Sequence, residues 1–268
     1  MQDERLVAFK RLLDIMDDLR AKCPWDKKQT LESLRHLTIE ETYELSDAIM
    51  KKDMTEIKKE IGDILLHMVF YAKIGSETND FDITSVINSL CEKLIFRHPH
   101  IYGDVKADDA ETVTQNWEKI KQKEGNKGAL SGVPSSMPSL IKALRIQDKA
   151  QAIGFDWEKP EQVWEKVQEE LGELQEEVTS RASATSEDSK QKSQEKLEQE
   201  FGDVFFALIN YARFLKVNPE DALEKTNKKF ISRFNYMEQK IKEQGKALAD
   251  CSLEEMDKYW NEAKKFEN

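Results

Sequence analysis

This 268-residue chain predicts an all-α protein built from two tandem helical repeats, and three observations carry that expectation. Apolar residues recur at intervals of three and four rather than two, so strand-like alternation is absent. Only six prolines and ten glycines interrupt a chain in which 35% of residues are charged, a composition suited to long amphipathic helices. The chain also repeats itself. Glu60-Ile-Gly-Asp63 leads into an apolar run ending Tyr71-Ala-Lys73, and Glu200-Phe-Gly-Asp203 leads into one ending Tyr211-Ala-Arg213, the order expected of duplicated units.

Taken in order, the first helix spans residues 3–20, with Leu6, Phe9, Leu12, Leu13, Ile15, Met16 and Leu19 as its buried stripe. Cys23-Pro24-Trp25-Asp26 breaks it. A second helix starting near Thr30 carries Leu34, Leu37, Tyr43 and Leu45 inward and clusters Glu40, Glu41 and Glu44 on another side. A third covers 55–74. Between 102 and 138 the glycines 125, 128 and 132 and the prolines 134 and 138 mark a linker at 125–139. It separates an N-terminal helical domain, 1–124, from a C-terminal one, 140–268, expected to be the catalytic half. The periodic pattern restarts at Leu140, Leu144, Ile146 and Ile153, followed by Gly154-Phe155-Asp156-Trp157 and a helix over about 164–178. Trp25 and Trp157 match across the repeats and are expected to pin the loop before each acidic helix. Residues 180–194, polar and rich in small side chains, read as a mobile loop inserted in the second repeat.

Composition excludes several function classes. A net charge of −11 and a pI near 5.1 argue against binding DNA or RNA, which is held chiefly by Lys and Arg. Cys23, Cys91 and Cys251 are odd in number and form no Cys-x-x-Cys, so neither a disulfide framework nor a zinc site is supported. The N-terminus has no basic segment followed by an apolar one, and no apolar run approaches the roughly 20 residues a membrane span needs. A cytoplasmic protein is expected.

The carboxylates form a constellation. Residues three apart share a helix face, so Glu41 with Glu44 and Glu60 with Asp63 each aim two donors one way, and antiparallel packing would gather all four. Glu170, Glu173, Glu200 and Asp203 repeat the order. Four converging carboxylates repel unless a divalent cation sits between them, and an all-oxygen donor set selects magnesium or manganese over zinc. A di-iron centre would need Glu-x-x-His, which the chain lacks. Lys93 with Arg97, and Lys229 with Arg233, place a cationic pair one turn apart after each cluster. Such a pair facing a metal-loaded pocket suits a polyphosphate, although the spacing is also that of an ordinary surface. Lys166 and Lys196 stand four residues before Glu170 and Glu200, where the first repeat has Leu37 and Glu56. The second half is therefore better equipped for a triphosphate. His67 lies in an apolar helix opposite Ala207 of the other repeat, which predicts a packed core histidine.

With its paired Glu-Glu-x-x-Glu and Glu-x-x-Asp signatures, Cys23-Pro24-Trp25-Asp26 and Arg97-His98-Pro99-His100, the chain resembles the MazG family of nucleoside triphosphate pyrophosphohydrolases, in its two-repeat form. The resemblance implies an all-α fold pairing into a four-helix-bundle-type homodimer, and magnesium-dependent hydrolysis of nucleoside triphosphates to monophosphate and pyrophosphate. It assigns the metal to Glu170, Glu173, Glu200 and Asp203, with Glu170 and Glu173 catalytic and a second set at Glu40, Glu41, Glu44, Glu60 and Asp63. It lays Lys166, Val167, Gln168, Glu169, Glu170, Lys196, Leu197, Glu198, Gln199, Lys229, Arg233 and Trp260 along the nucleotide. For Trp260 a core or dimer contact is the other reading. The expected mechanism is attack of activated water on the α-phosphorus. The rivals are a phosphatase releasing orthophosphate and a scaffold that binds magnesium without turnover.

Overall fold

The computed structural model describes residues 3–105, 109, 112–113, 116–117, 120, 128–181 and 186–266, and among these there is no strand. Two units divide the chain, Met1–Val113 and Thr114–Asn268. In the first, α1 (Glu4–Lys22) leads through a 3-10 turn (Asp26–Lys28) to the hairpin of α2 (Leu31–Lys51) and α3 (Met54–Glu77), then α4 (Ile83–Arg97) and the single turn α5 (Pro99–Tyr102). Local chemistry sets these bounds. Thr30 and Ser33 form a reciprocal capping box at the start of α2, and Asp53 caps α3 by accepting from the N–H groups of Thr55 and Glu56. Lys52 turns the hairpin in the left-handed region at φ 57°. Met16, Leu34, Val69 and Phe70 form the core, with Phe9, Leu12, Leu13 and Leu37 packed on it. The Arg20 guanidinium fastens the corner, donating to the carbonyls of Asp26 and Gln29 and pairing with Glu77 at 2.8 Å.

The expected stripes are wider than the packing partners cover. Leu6, Ile15 and Leu19 of α1 and Tyr43 of α2 stay exposed, while the packed edge of α1 runs through Phe9, Leu12, Leu13 and Met16. Trp25 and Trp157 are also about half exposed, so neither anchors its loop by burial. His67 is buried, its Nδ1 2.8 Å from the Thr38 hydroxyl, as a packed core histidine should be.

The second unit contains α6 (Ser139–Ala152), the hairpin of α7 (Pro160–Arg181) and α8 (Glu187–Phe214), then α9 (Pro219–Glu243), a 3-10 turn (Leu248–Asp250), α10 (Leu253–Ala263) and a closing 3-10 turn. Met237, Ile241 and Tyr259 pack α9 on α10. The stretch expected to be a mobile loop is largely helix: α7 continues to Arg181 and α8 begins at Glu187, while 182–185 lie outside the described residues. Ser186 and Ser189 form a capping box, Glu187 and Asp188 occupy the first turn, and Lys192 pairs with Asp188 at 3.0 Å. A polar helix arm with few apolar residues is held by capping and by i, i+4 pairs rather than by a core. Replacing Ser186 with Ala is expected to cost about 1 kcal/mol in urea unfolding; an unchanged midpoint would mean that this end of α8 does not fold as a helix. The linker expected at 125–139 falls partly outside the described residues, and 128–138 is turns and irregular chain up to Ser139.

Candidate metal and nucleotide site

The carboxylates occupy positions where helical periodicity calls for apolar side chains. On α7, Val163, Val167 and Glu170 share one buried stripe, with Val167 fully covered and Glu170 only 7% exposed. On α8, Leu197, Glu200, Val204 and Ala207 follow the same rhythm. Antiparallel packing of α7 on α8 then brings carboxylate oxygens of Glu170, Glu173 and Glu200 within 4.8 Å of one another. In the first unit α2 and α3 do the same for Glu41, Glu60 and Asp63. Each unit gathers three of the four matched positions, and the omitted one differs. Glu44 and Asp203 stand outside their groups and Glu40 is exposed. Asp203 lies close by, on the wall of the cavity that also takes in Lys166 and Glu170.

The electrostatics record this crowding. Burial, then repulsion from Asp63, Glu44 and Glu60, raises the Glu41 carboxyl above its ordinary value of 4.5. Glu173 is raised likewise by burial and by Glu170, with Lys166 pulling the other way. Lysines answer part of the charge. Lys166 Nζ lies 2.6 Å from Glu170 and 2.7 Å from Glu169, which raises its own pKa further. Lys59 Nζ lies 2.8 Å from the buried Glu60, a cation the repeat comparison overlooked because it sits next to its partner in sequence. The Oε2 atoms of Glu60 and Glu200 are nonetheless buried without any hydrogen-bond partner. A buried, unanswered carboxylate oxygen is costly, so both groups fit a hard divalent cation of the magnesium or manganese kind.

Raised carboxyl pKa values have a definite sign. A folded state that holds its proton more tightly than the unfolded chain gains stability below the unfolded pKa and loses it as pH rises through the folded one. Glu41 and Glu173 should therefore weaken the metal-free protein above the ordinary carboxylate range, and a bound cation should reverse this. Saturating magnesium is expected to stabilise by about 2–3 kcal/mol at a hundredfold excess over its Kd, with the gain shrinking as pH falls and the carboxylates take up protons. Calorimetric melting with and without magnesium checks this; a gain independent of pH would contradict the crowding.

The other expected nucleotide residues fall into three groups. Gln168, Glu169, Lys196, Glu198 and Gln199 are exposed on α7 and α8, whereas Val167 and Leu197 are buried packing residues. Lys229 is exposed on α9. Arg233 lies over the Trp260 ring at 5.6 Å, and Phe230 meets the same ring at 4.9 Å. Among the described residues, the cavity wall includes none of Lys229, Arg233 and Trp260.

Sequence reasoning did not anticipate the cavity itself. It has a volume of about 600 Å³ and adjoins the second carboxylate group. Phe155, Trp157, Phe206, Ile146 and Ile153 supply apolar walls, and Gln147 and Asn210 supply polar ones. An ion pair braces one side: Arg213 reaches Asp156 at 2.5 Å with both side chains largely buried, and also holds the Asn210 Oδ1 at 2.7 Å. Gly154, at φ +85°, lets the chain turn sharply into that wall.

The MazG nucleotide pyrophosphohydrolase domain matches residues 29–102 and 158–237, one segment around each carboxylate group. The "Nucleoside triphosphate pyrophosphohydrolase/pyrophosphatase MazG" of Thermotoga maritima is 42% identical over 263 residues, covering 96% of both chains. The "Nucleoside triphosphate pyrophosphohydrolase" of Escherichia coli K12 is 38% identical over 264 residues, 96% of this chain and 97% of that one. A Bacillus subtilis protein named YabN is 45% identical over this whole chain, which spans 54% of its length.

Proposed function

The chain belongs to the MazG nucleotide pyrophosphohydrolase family, and we propose that it hydrolyses nucleoside triphosphates to nucleoside monophosphate and pyrophosphate at the carboxylate group of its second unit. The observation that carries this reading is the conjunction at that group: three converging carboxylates, an orphaned Glu200 oxygen, and a large cavity opening beside them with Lys166 at its wall.

Glu170 and Glu200, with Glu173 and Asp203, would hold magnesium, manganese being the possible substitute. Bound there, the cation supplies Lewis acidity toward phosphate oxygens and water. The chain's own residues do the rest. Glu173 is the exposed member of the group and carries a raised pKa, so it is the carboxylate best matched to take a proton from the attacking water. Lys166, now paired with Glu170, would turn to the substrate as the cation claims that carboxylate. Lys229 and Arg233 would neutralise charge gathering on the departing pyrophosphate. Hydrolysis in oxygen-18 water tests the point of attack. Label in the monophosphate supports attack at the α-phosphorus, and label in the pyrophosphate overturns it.

The first unit invites a second reading, favoured by Leu37 and Glu56 standing where the second unit has Lys166 and Lys196: its carboxylates serve stability rather than turnover. A homodimer is part of the proposal. Phe201, Phe205, Leu208, Phe230, Ile231 and Phe234 are all 39–62% exposed on α8 and α9, large apolar side chains that a partner would take out of water. A second copy covering it would complete a four-helix bundle. No helix among the described residues is long and apolar enough to cross a membrane. A cytoplasmic enzyme is part of the same reading, and its net charge of −11 disfavours DNA and RNA as partners.

A further inference from the structure

We propose that the cavity beside the second carboxylate group is the pocket for the nucleobase, and that Gln147 and Asn210 are the residues that read its edge. The inference rests on the triphosphate reading of that site. Its volume, about 600 Å³, lies within the range of small-molecule pockets, roughly 300–1,000 Å³. Its aromatic members are poorly covered: Phe155 is 79% exposed, Trp157 46% and Phe206 41%. A flat ring stacking on them would remove that surface from water.

The polar wall is specific. Gln147 is only 5% exposed. Its Nε2 donates to the Phe206 carbonyl at 2.8 Å, which fixes the amide's orientation, and its Oε1 is buried with no partner. A buried carbonyl oxygen left unanswered is penalised by about 1–3 kcal/mol, so this one is matched to a donor that arrives with a ligand. Asn210 is oriented the opposite way. Arg213 occupies its Oδ1 from Nε at 3.1 Å and from a terminal nitrogen at 2.7 Å, so its amide N–H groups remain for an incoming acceptor. An acceptor and a donor on one cavity wall complement the neighbouring donor and acceptor of a base edge, such as the amino group and ring nitrogen of adenine or cytosine.

Chain direction agrees. The Ser193 hydroxyl donates to Glu177 at 3.3 Å on one side of the carboxylates. Because α7 and α8 run antiparallel, Asp203, Phe206 and Asn210 then lie on the other side, toward Lys166. The cavity opens on that side, and Lys196 to Gln199 lie away from it. A nucleotide would thus straddle the carboxylates, its base toward Gln147 and its phosphate chain toward Lys196.

The test compares adenosine monophosphate with purine riboside monophosphate, which lacks the amino group, by calorimetric binding to the full chain with magnesium, alongside turnover of the two triphosphates. Wild type is expected to prefer the amino-bearing base by about tenfold, within the penalty of a buried oxygen left unanswered, and Gln147→Leu is expected to abolish the preference. No preference in wild type, or equal weakening of both ligands by Gln147→Leu, overturns the assignment. Should Gln147→Leu fail to fold, Trp157→Ala serves: it should weaken both monophosphates several-fold, and unchanged binding of both overturns the pocket. The two readings fail separately. Turnover without base preference sinks the pocket alone, and base preference without turnover sinks the hydrolase reading alone.

Discussion

Glutamine in place of Glu173 is expected to lower kcat by about a hundredfold to ten-thousandfold, the range lost when a positioned general base is removed, while thermal unfolding of the metal-free protein stays the same or moves upward. Both halves follow from the geometry. Glu173 is exposed and contributes an oxygen to the group, so it costs the fold little to change. Its carboxyl is raised by the water it loses on the side facing the group and by repulsion from Glu170, so a neutral amide relieves crowding. The matched change in the first unit, Glu44→Gln, removes a carboxylate that stands outside its group and should leave kcat within about twofold. Steady-state turnover beside calorimetric melting separates the outcomes. A metal site that only stabilised the fold would lose melting temperature in Glu173→Gln and have no turnover to lose.

Arg213→Ala is expected to destabilise the second unit by about 3–5 kcal/mol, the cost of leaving one partner of a buried pair alone. Arg213 and Asp156 have side chains only 10% and 15% exposed, and the same guanidinium holds Asn210. The matched residue in the first repeat gives the control. Lys73 pairs with Asp17 at 2.7 Å, but Asp17 is 63% exposed, so Lys73→Ala should cost about 0–1 kcal/mol. Urea unfolding of both variants checks the contrast, and equal costs would mean that the brace beside the cavity carries no special load.

These positions also show what a sequence can disclose. The helices were legible because their apolar residues recur at three and four, and the carboxylate groups because the order Glu-Glu-x-x-Glu, Glu-x-x-Asp occurs twice. The start of α8 was not, because it has little apolar stripe to reveal it. Its signals were Ser186 and Ser189, spaced as a capping box, and acids in the following turn, which composition alone reads as loop. The cavity was harder still. Its apolar walls come from α6, α8 and the Gly154–Trp157 loop, which only the fold brings together. One clue was available: Gln147 falls seven residues after Leu140 and three after Leu144, on the inward stripe of α6, where a polar side chain needs a reason. Asn210, three residues after the buried Ala207, offers the same hint. Lys59 escaped because adjacent residues on a helix do not share a face; its long side chain reaches Glu60 regardless.

Hydrolysis at the second carboxylate group should release pyrophosphate from nucleoside triphosphates. Phosphorus NMR of the full chain with magnesium and the canonical triphosphates tests it most directly, run on wild type, Glu60→Gln and Glu200→Gln. Equimolar monophosphate and pyrophosphate from wild type and Glu60→Gln, with product formation lost in Glu200→Gln, is the predicted result. Orthophosphate as the product, or undiminished turnover in Glu200→Gln, would contradict it.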